Sequence, residues 1–340
     1  MVISNQSKDQ SEQTLRSIGE HNLLKRLQQF CPAGIVGDDA AVLTTTPDRR
    51  LVITTDIFVD GVHFSVGLAN PIVTTPPYAV GFRVAAANLS DLAAMGATPI
   101  GITVGLSLPP EIPVAWIEAL YEGLVSCLDG VPIVGGDVVR SPVFSIAITA
   151  FGDVVPGRVI QRSTAKVGDA IVMTGLHGRS RVGLAMLLGE DLALDAITRS
   201  SCIRAHQYPV PRLDLLPQFP SPIPAGMDSS DGLADAVVQI CRSSGVGARL
   251  DWNAIFDHPE IVAISNAIGI EKTIDWVLYG GEDFELVLCM SHESSTQFCK
   301  HTGSYKIGII TEDEDVWLIH PSIDRENRKL TIDRGFQHFA

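Results

Sequence analysis

The sequence predicts an α+β protein of two domains. Three observations carry this expectation. The chain has 340 residues, enough for two domains of ordinary size. Strand-like and helix-like runs mix without a strict strand–helix–strand alternation, which disfavours a doubly wound sheet. Between Gly152 and Gly168 the pattern breaks into a polar, turn-rich segment. The expected organisation is a loose polar tail over 1–13, a first domain over 14–152 and a second over 153–340.

Leu15, Ile18, Leu23, Leu24, Leu27 and Phe30 recur at helical spacing, so 14–30 reads as an amphipathic helix. Ala40 to Leu43 and Leu51 to Thr55 read as strands. Residues 76–95 form a small-residue helix that stops at Gly96. Ile102 to Leu108 alternates as a strand does. Residues 112–128 are helical, with Pro113 near the first turn. Val131 to Val134 and Val143 to Phe151 are strands. The second half opens with a strand, Ala170 to Thr174, into a turn at Gly175, and a helix over 181–189. Six prolines between 209 and 224 forbid regular structure through much of that stretch. A capped helix is expected from Asp228 to Ser244. Strands follow at 246–251, 284–289, 305–310 and 315–319.

Composition removes several functions. Hydrophobic residues make up 46% and charged residues 19%, a globular balance. The net charge of −14 argues against nucleic-acid or anionic-membrane binding, both of which need a basic face. No run of residues is long and apolar enough to span a membrane. None of the six cysteines forms a Cys-x-x-Cys pair or stands at zinc-ligand spacing with His. They read as reduced, mostly buried thiols, so a cytoplasmic location is expected.

The chemistry-bearing segments are acidic, glycine-punctuated loops. They are Gly37-Asp38-Asp39, Thr54-Thr55-Asp56, Asn88-Leu89-Ser90-Asp91, Gly135-Gly136-Asp137, Asp228-Ser229-Ser230-Asp231-Gly232 and Gly280-Gly281-Glu282-Asp283. Each has a bland reading as well. Asp and Gly suit turns for backbone reasons alone. A helix N-cap explains one of the acids at 228–231, though not two. Polar residues inside the apolar 76–95 helix compete with the backbone, so a functional role is favoured there. Gathered in one place, carboxylates would need cations to stay ionised. Oxygen donors of this kind suit Mg²⁺, which bridges phosphates. Paired glycines at 135–136 would admit backbone amides to a phosphate, with Asp137 on its metal. No P-loop and no dinucleotide-binding glycine pattern is present. Arg162 and His63 are isolated, and a solvated arginine and a structural histidine are their default readings.

In order, these segments resemble the thiamine-monophosphate kinase family, within the ATP-binding superfamily that includes aminoimidazole ribonucleotide synthetase. The matching stretches also include Gly61-Val62-His63-Phe64, Leu92 to Ala97, Arg162-Ser163, Gly168-Asp169 and His206 to Arg212. The resemblance runs from Gly19 to Phe339. It implies transfer of the ATP γ-phosphoryl group to thiamine monophosphate. By that likeness Asp39, Thr54, Thr55, Asp56, Asp91, Asp137, Asp228 and Asp231 would bind several Mg²⁺ ions. Gly136, Asp137, Arg162, Ser230 and Tyr121 would contact ATP. His63, Glu282 and Phe336 would contact the thiamine phosphate. It also implies a homodimer formed through the sheet of the first domain. Alternatives are another ATP-using enzyme of the superfamily or a non-catalytic Mg-nucleotide module. The chain departs from the family pattern at Gly178-Arg179-Ser180-Arg181, where many relatives read Gly-Asp-Ser-Ala, and at Phe336, where Tyr or Trp is commoner.

Overall fold

The structure is a computed structural model, and it describes residues 13–33, 35–36, 40–41, 43–322 and 327–335. It is α+β, and its contacts divide it into two units. One holds the residues up to Leu92 together with Pro99–Asp153; the other holds Ala93–Thr98 and the residues from Val154 onward.

The first unit begins with α1 (Leu15–Ile18) and α2 (Glu20–Leu27). The sequence predicts one helix here. Gly19 breaks it, because its φ of 73° and ψ of 166° leave the helical region. β1 (Arg50–Val59), α3 (Pro77–Ala94), β2 (Thr98–Leu108), α4 (Val114–Leu128), β3 (Ile133–Arg140) and β4 (Ser145–Val154) follow. The strands form one sheet in the order β1-β4-β2-β3, with β2 and β3 parallel. Ala40, Ala41 and Leu43 are not in a strand, contrary to their apolar pattern; Val42 lies outside the described residues.

Burial in this sheet alternates. Ile102, Val104, Leu106, Ile146, Ile148 and Ala150 are essentially inaccessible, whereas Leu51, Ile53 and Ile57 are more than half exposed. One face is therefore packed, and the other is open and partly apolar. The helices α3 and α4 approach at glycines. A Cβ on Gly81 would stand 1.8 Å from the Leu120 carbonyl oxygen, and one on Gly123 would stand 1.9 Å from that of Tyr78. Glycine is thus required by backbone contact rather than by conformation.

The second unit contains β5 (Ala170–Met173), α5 (Arg179–Leu187), α6 (Ala196–Gln207), β6 (Ala225–Asp228), α7 (Leu233–Ser244), β7 (Gly247–Asp251), α8 (Trp252–Phe256), α9 (Pro259–Ile268), α10 (Ile270–Tyr279), β8 (Leu286–Met290), α11 (His292–Thr302), β9 (Tyr305–Thr311), β10 (Val316–Ile319) and β11 (Arg328–Lys329). Its sheet runs β11-β10-β7-β9-β5-β8-β6, with β10–β7 parallel and the other pairings antiparallel. Both faces are covered. Ile171, Met173, Val287 and Cys289 join one core cluster; Val172, Leu286, Leu288 and Met290 join another with Leu215, Phe219 and Phe298. Continuous apolar runs suit such strands.

The segment 228–244 is not one capped helix. Asp228 ends β6, a turn follows, and α7 starts at Leu233 without a side-chain cap. The proline-rich stretch holds only a 3-10 turn over Arg212–Gln218. All six cysteines are free. No helix among the described residues is long and apolar enough to cross a membrane.

Alanine has the higher helix propensity, by about 1 kcal/mol over glycine. Overpacking costs about 1–3 kcal/mol or more. Gly81→Ala should therefore lower the urea midpoint of unfolding, while a raised midpoint would show that the two helices yield at this contact.

Candidate active site

In the first unit, β1 carries Thr54 and Asp56 on the packed face and Thr55 on the open one. Side chains alternate along a strand, so the three do not project together. Thr54 Oγ1 donates to Asp91 Oδ2 at 2.5 Å, which ties the strand to α3. Thr55 Oγ1 instead meets Thr149 Oγ1 at 2.9 Å. The Asp56 carboxyl is pushed up to about 6, first by burial and then by the negative charge of Asp91. One turn before Asp91 lies Asn88, wholly buried, whose Nδ2 donates to the Val84 carbonyl at 3.0 Å. Its Oδ1 has no hydrogen-bond partner among the described residues. Two carboxylates and a hydroxyl are hard donors, and they suit a divalent cation such as Mg²⁺. Among the described residues no three His, Cys, Asp or Glu side chains cluster as a metal site. Asp39, with Gly37 and Asp38, lies outside the described residues.

Asp137 does not join this group within one chain. β3 and β1 are opposite edges of the sheet, separated by two strands and so by about 14 Å. Asp137 pairs in register with Gly105 and faces the open side; its Oδ1 accepts the Val138 amide at 2.9 Å. The glycines before it lie within β3 rather than after a strand. A Cβ on Gly136 would sit 2.1 Å from the Val104 carbonyl oxygen, so strand contact alone requires glycine there. Tyr121 is 4% exposed, its ring centroid 5.4 Å from that of Phe30, and burial raises its hydroxyl pKa. His63 Nδ1 accepts the Val59 amide at 3.1 Å, and its ring meets Phe58 edge-on. Next to it, the buried Asp60 accepts the amides of Val66 and Ala69 at 2.9 and 2.8 Å, which fixes the loop after β1.

In the second unit, the loops at 174–178, 228–232 and 280–285 converge. Ser229 donates its amide and hydroxyl to the Glu285 carbonyl at 2.9 and 3.0 Å, and Glu282 donates its amide to the Ser230 carbonyl at 2.7 Å. Asp228 is buried, Ser230 half-buried and Asp231 exposed. Gly281, Glu282 and Phe284 all have φ between 52° and 64°. Such values are strained for Glu and Phe. Phe336 lies outside the described residues. Arg162 is exposed and donates to Gln239 Oε1 at 2.6 Å; Gln239 in turn donates to Asp235.

Several residues outside the predicted site set organise these loops, and their partners are distant in sequence. Glu285 is the hub: Oε2 accepts Thr174 Oγ1 at 2.7 Å and Arg212 Nη1 at 2.9 Å. Arg212 also donates to the Thr174 carbonyl at 2.6 Å. Asp283 accepts the Gly178 and Ser180 amides at 2.6 and 2.8 Å, capping α5. Burial, opposed by those amides, pushes its carboxyl up to about 7. His177 Nε2 lies 2.8 Å from Ser229 Oγ, and burial together with Arg179 lowers its pKa to about 3.

Residues 37–154 match the family model of the AIR synthase related protein, N-terminal domain. The match assigns an AIR synthase related N-terminal domain to that stretch of the chain. It is 47% identical to a thiamine-monophosphate kinase of Synechococcus elongatus, over 97% of this chain and 99% of that one. It is 33% identical to that of Escherichia coli, over 90% and 91%. The chain belongs to the thiamine-monophosphate kinase family. The crystal structure of thiamine-monophosphate kinase from Stenotrophomonas maltophilia is 30% identical, with a TM-score of 0.72 over 88% of this chain and 94% of that one. AaThiL complexed with AMPPCP and TMP is 26% identical, with a TM-score of 0.71 over 93% and 98%. The hydrogenase maturation protein HypE of E. coli shares the fold at 18% identity, with a TM-score of 0.71 over 92% and 97%.

A raised carboxyl makes the metal-free folded state hold a proton that the unfolded chain has released. The destabilisation from Asp56 is absent below its unfolded value of 3.8 and complete above about 6. Asp56→Asn should therefore raise Tm in EDTA at pH 7.5, with a gain that shrinks as pH falls through 6. A gain that stayed constant over this range would contradict the account by burial and like charge.

Proposed function

We propose that the chain transfers the γ-phosphoryl group of ATP to thiamine monophosphate, giving thiamine diphosphate and ADP. The observation that carries this reading is the 47% identity to a thiamine-monophosphate kinase across essentially both chains. The pairing of Asp56 with Asp91 beside Thr54 supports it, because it supplies oxygen donors for phosphate-bridging metal. Bound there, Mg²⁺ would neutralise phosphate charge and align the reacting oxygens.

The acceptor is a phosphate oxygen, already largely anionic near neutral pH, so a strong general base is unnecessary. The task of the protein is then to orient two phosphates and to exclude water. Direct in-line transfer follows, without a phosphorylated side chain. We assign Asp39, Thr54, Thr55, Asp56, Asp91, Asp137, Asp228 and Asp231 to several Mg²⁺ ions in separate groups, since Thr55 and Asp137 lie on the open face of the first sheet and away from the Asp56–Asp91 pair. Gly136, Asp137, Arg162, Ser230 and Tyr121 are assigned to ATP, and His63, Glu282 and Phe336 to thiamine monophosphate. Tyr121 would need its aromatic cover to move, so it is the weakest member of the set. We also propose a cytoplasmic homodimer, with the open face bearing Leu51, Ile53 and Ile57 as its interface, and domains divided at 152/153. The apolar exposure of that face supports the dimer.

ADP release that depends on thiamine monophosphate tests the reading; ATP binding without turnover would favour a non-catalytic module. Asp91→Asn should reduce turnover by at least about 100-fold with Tm nearly unchanged. A fully active variant would remove Asp91 from the site. Inversion at a chiral γ-phosphorus is expected, and retention would point to a phosphoenzyme.

A further inference from the structure

Glu282 occupies an awkward position. Its φ is 61°, directly after Gly281 at 64°, and its amide donates to the Ser230 carbonyl at 2.7 Å. Glycine would fit this backbone without strain, whereas glutamate costs about 1 kcal/mol or more. A side chain kept at that cost has work to do, and its carboxylate is 31% exposed. Three interactions lie around it, one of them with its own carboxylate. Asp283, the next residue, caps α5 through the amides of Gly178 and Ser180. The Ser180 hydroxyl lies 3.1 Å from His206 Nδ1. His206, 1% exposed at the last turn of α6, brings that same Nδ1 to 4.0 Å from Glu282 Oε2. The path from Glu282 through Asp283, Ser180 and His206 therefore closes on itself.

We infer that His206 is a positioning residue for the acceptor: with Ser180 it fixes the direction of the Glu282 carboxylate, which takes a cationic or N–H-donating heteroaromatic ring of the acceptor. The inference rests on the reading that Glu282 meets thiamine monophosphate. A carboxylate suits that ligand because the molecule carries a cationic ring and an amino-substituted one, while its phosphate would be left to bound metal. The histidine is buried, so its role is to aim Glu282 and not to touch the ligand. Its loss should weaken binding of the acceptor and leave the nucleotide unaffected.

Steady-state kinetics on the full chain, varying each substrate in turn, test this. His206→Ala should raise KM for thiamine monophosphate about tenfold while KM for ATP stays within about twofold. His206→Asn, whose amide reaches the place of Nδ1, should recover to within about threefold of the parent. In the Glu282→Ala background, His206→Ala should add nothing further. A parallel rise in both KM values, no rescue by asparagine, or additive losses would overturn the positioning role. Should His206→Ala fail to fold, Ser180→Ala gives the decision instead: a selective rise in the acceptor KM supports the closed path, and no rise refutes it. Glu282→Ala alone separates the two claims. If it leaves the acceptor KM unchanged, the assignment of Glu282 fails. If it raises that KM while His206→Ala is silent, only the role of His206 fails.

Discussion

Asp56 and Asp91 are like charges drawn together in a partly dry space between a sheet edge and a helix. Burial first, and then the negative charge of Asp91, favour the protonated form of Asp56, so its carboxyl rises to about 6. Such an arrangement persists only if the surroundings hold it rigidly. They do so at three levels. Thr54 bonds Asp91 across the strand–helix gap. Gly81 and Gly123 let α3 and α4 touch backbone to backbone, so α3 has little freedom to slide. The packed face of the sheet supplies the apolar floor. Stability is spent on keeping two acids where a cation would want them.

The second unit solves a similar problem with one buried glutamate. Glu285 binds the 174 turn and Arg212 with its carboxylate, and the 229 turn with its carbonyl. A buried charge is tolerable only when paired and hydrogen-bonded, and Arg212 meets both needs. Gly175 fits here because a Cβ would lie 2.1 Å from Glu285 Oε1. The loops assigned to substrate are thus set by residues that touch none of it.

Periodic segments were legible in the sequence. The helix at 76–95 and the strands at 51–55, 102–108 and 170–174 stand within a few residues of where they read, because burial on one or two faces imprints a period. Breaks were less legible. Gly19 interrupts a continuous helical stripe, and no pattern distinguishes it from a tolerated glycine. Helices α6 and α8 to α11 went unread, in part because α6 mixes polar and apolar residues with little amphipathic contrast. At the site, residue types were visible but directions were not. Asp137 reads like Asp56 yet faces the other way from the far edge. Gly136 reads as a phosphate loop, whereas strand contact with Val104 already demands it. Glu285 and Asp283 reveal their roles only through partners distant in sequence.

The alternation along β1 has one more consequence. Thr54 and Asp56 look inward while Ile53, Thr55 and Ile57 look out, so a single ribbon of backbone serves two neighbourhoods. Deleting or inserting one residue between Arg50 and Asp56 would swap them wholesale, turning isoleucines toward the acids and the aspartate toward solvent. Drift in this stretch is therefore confined to exchanges of side chain, and whatever settles on the outer surface presses on the same ribbon that holds the acid.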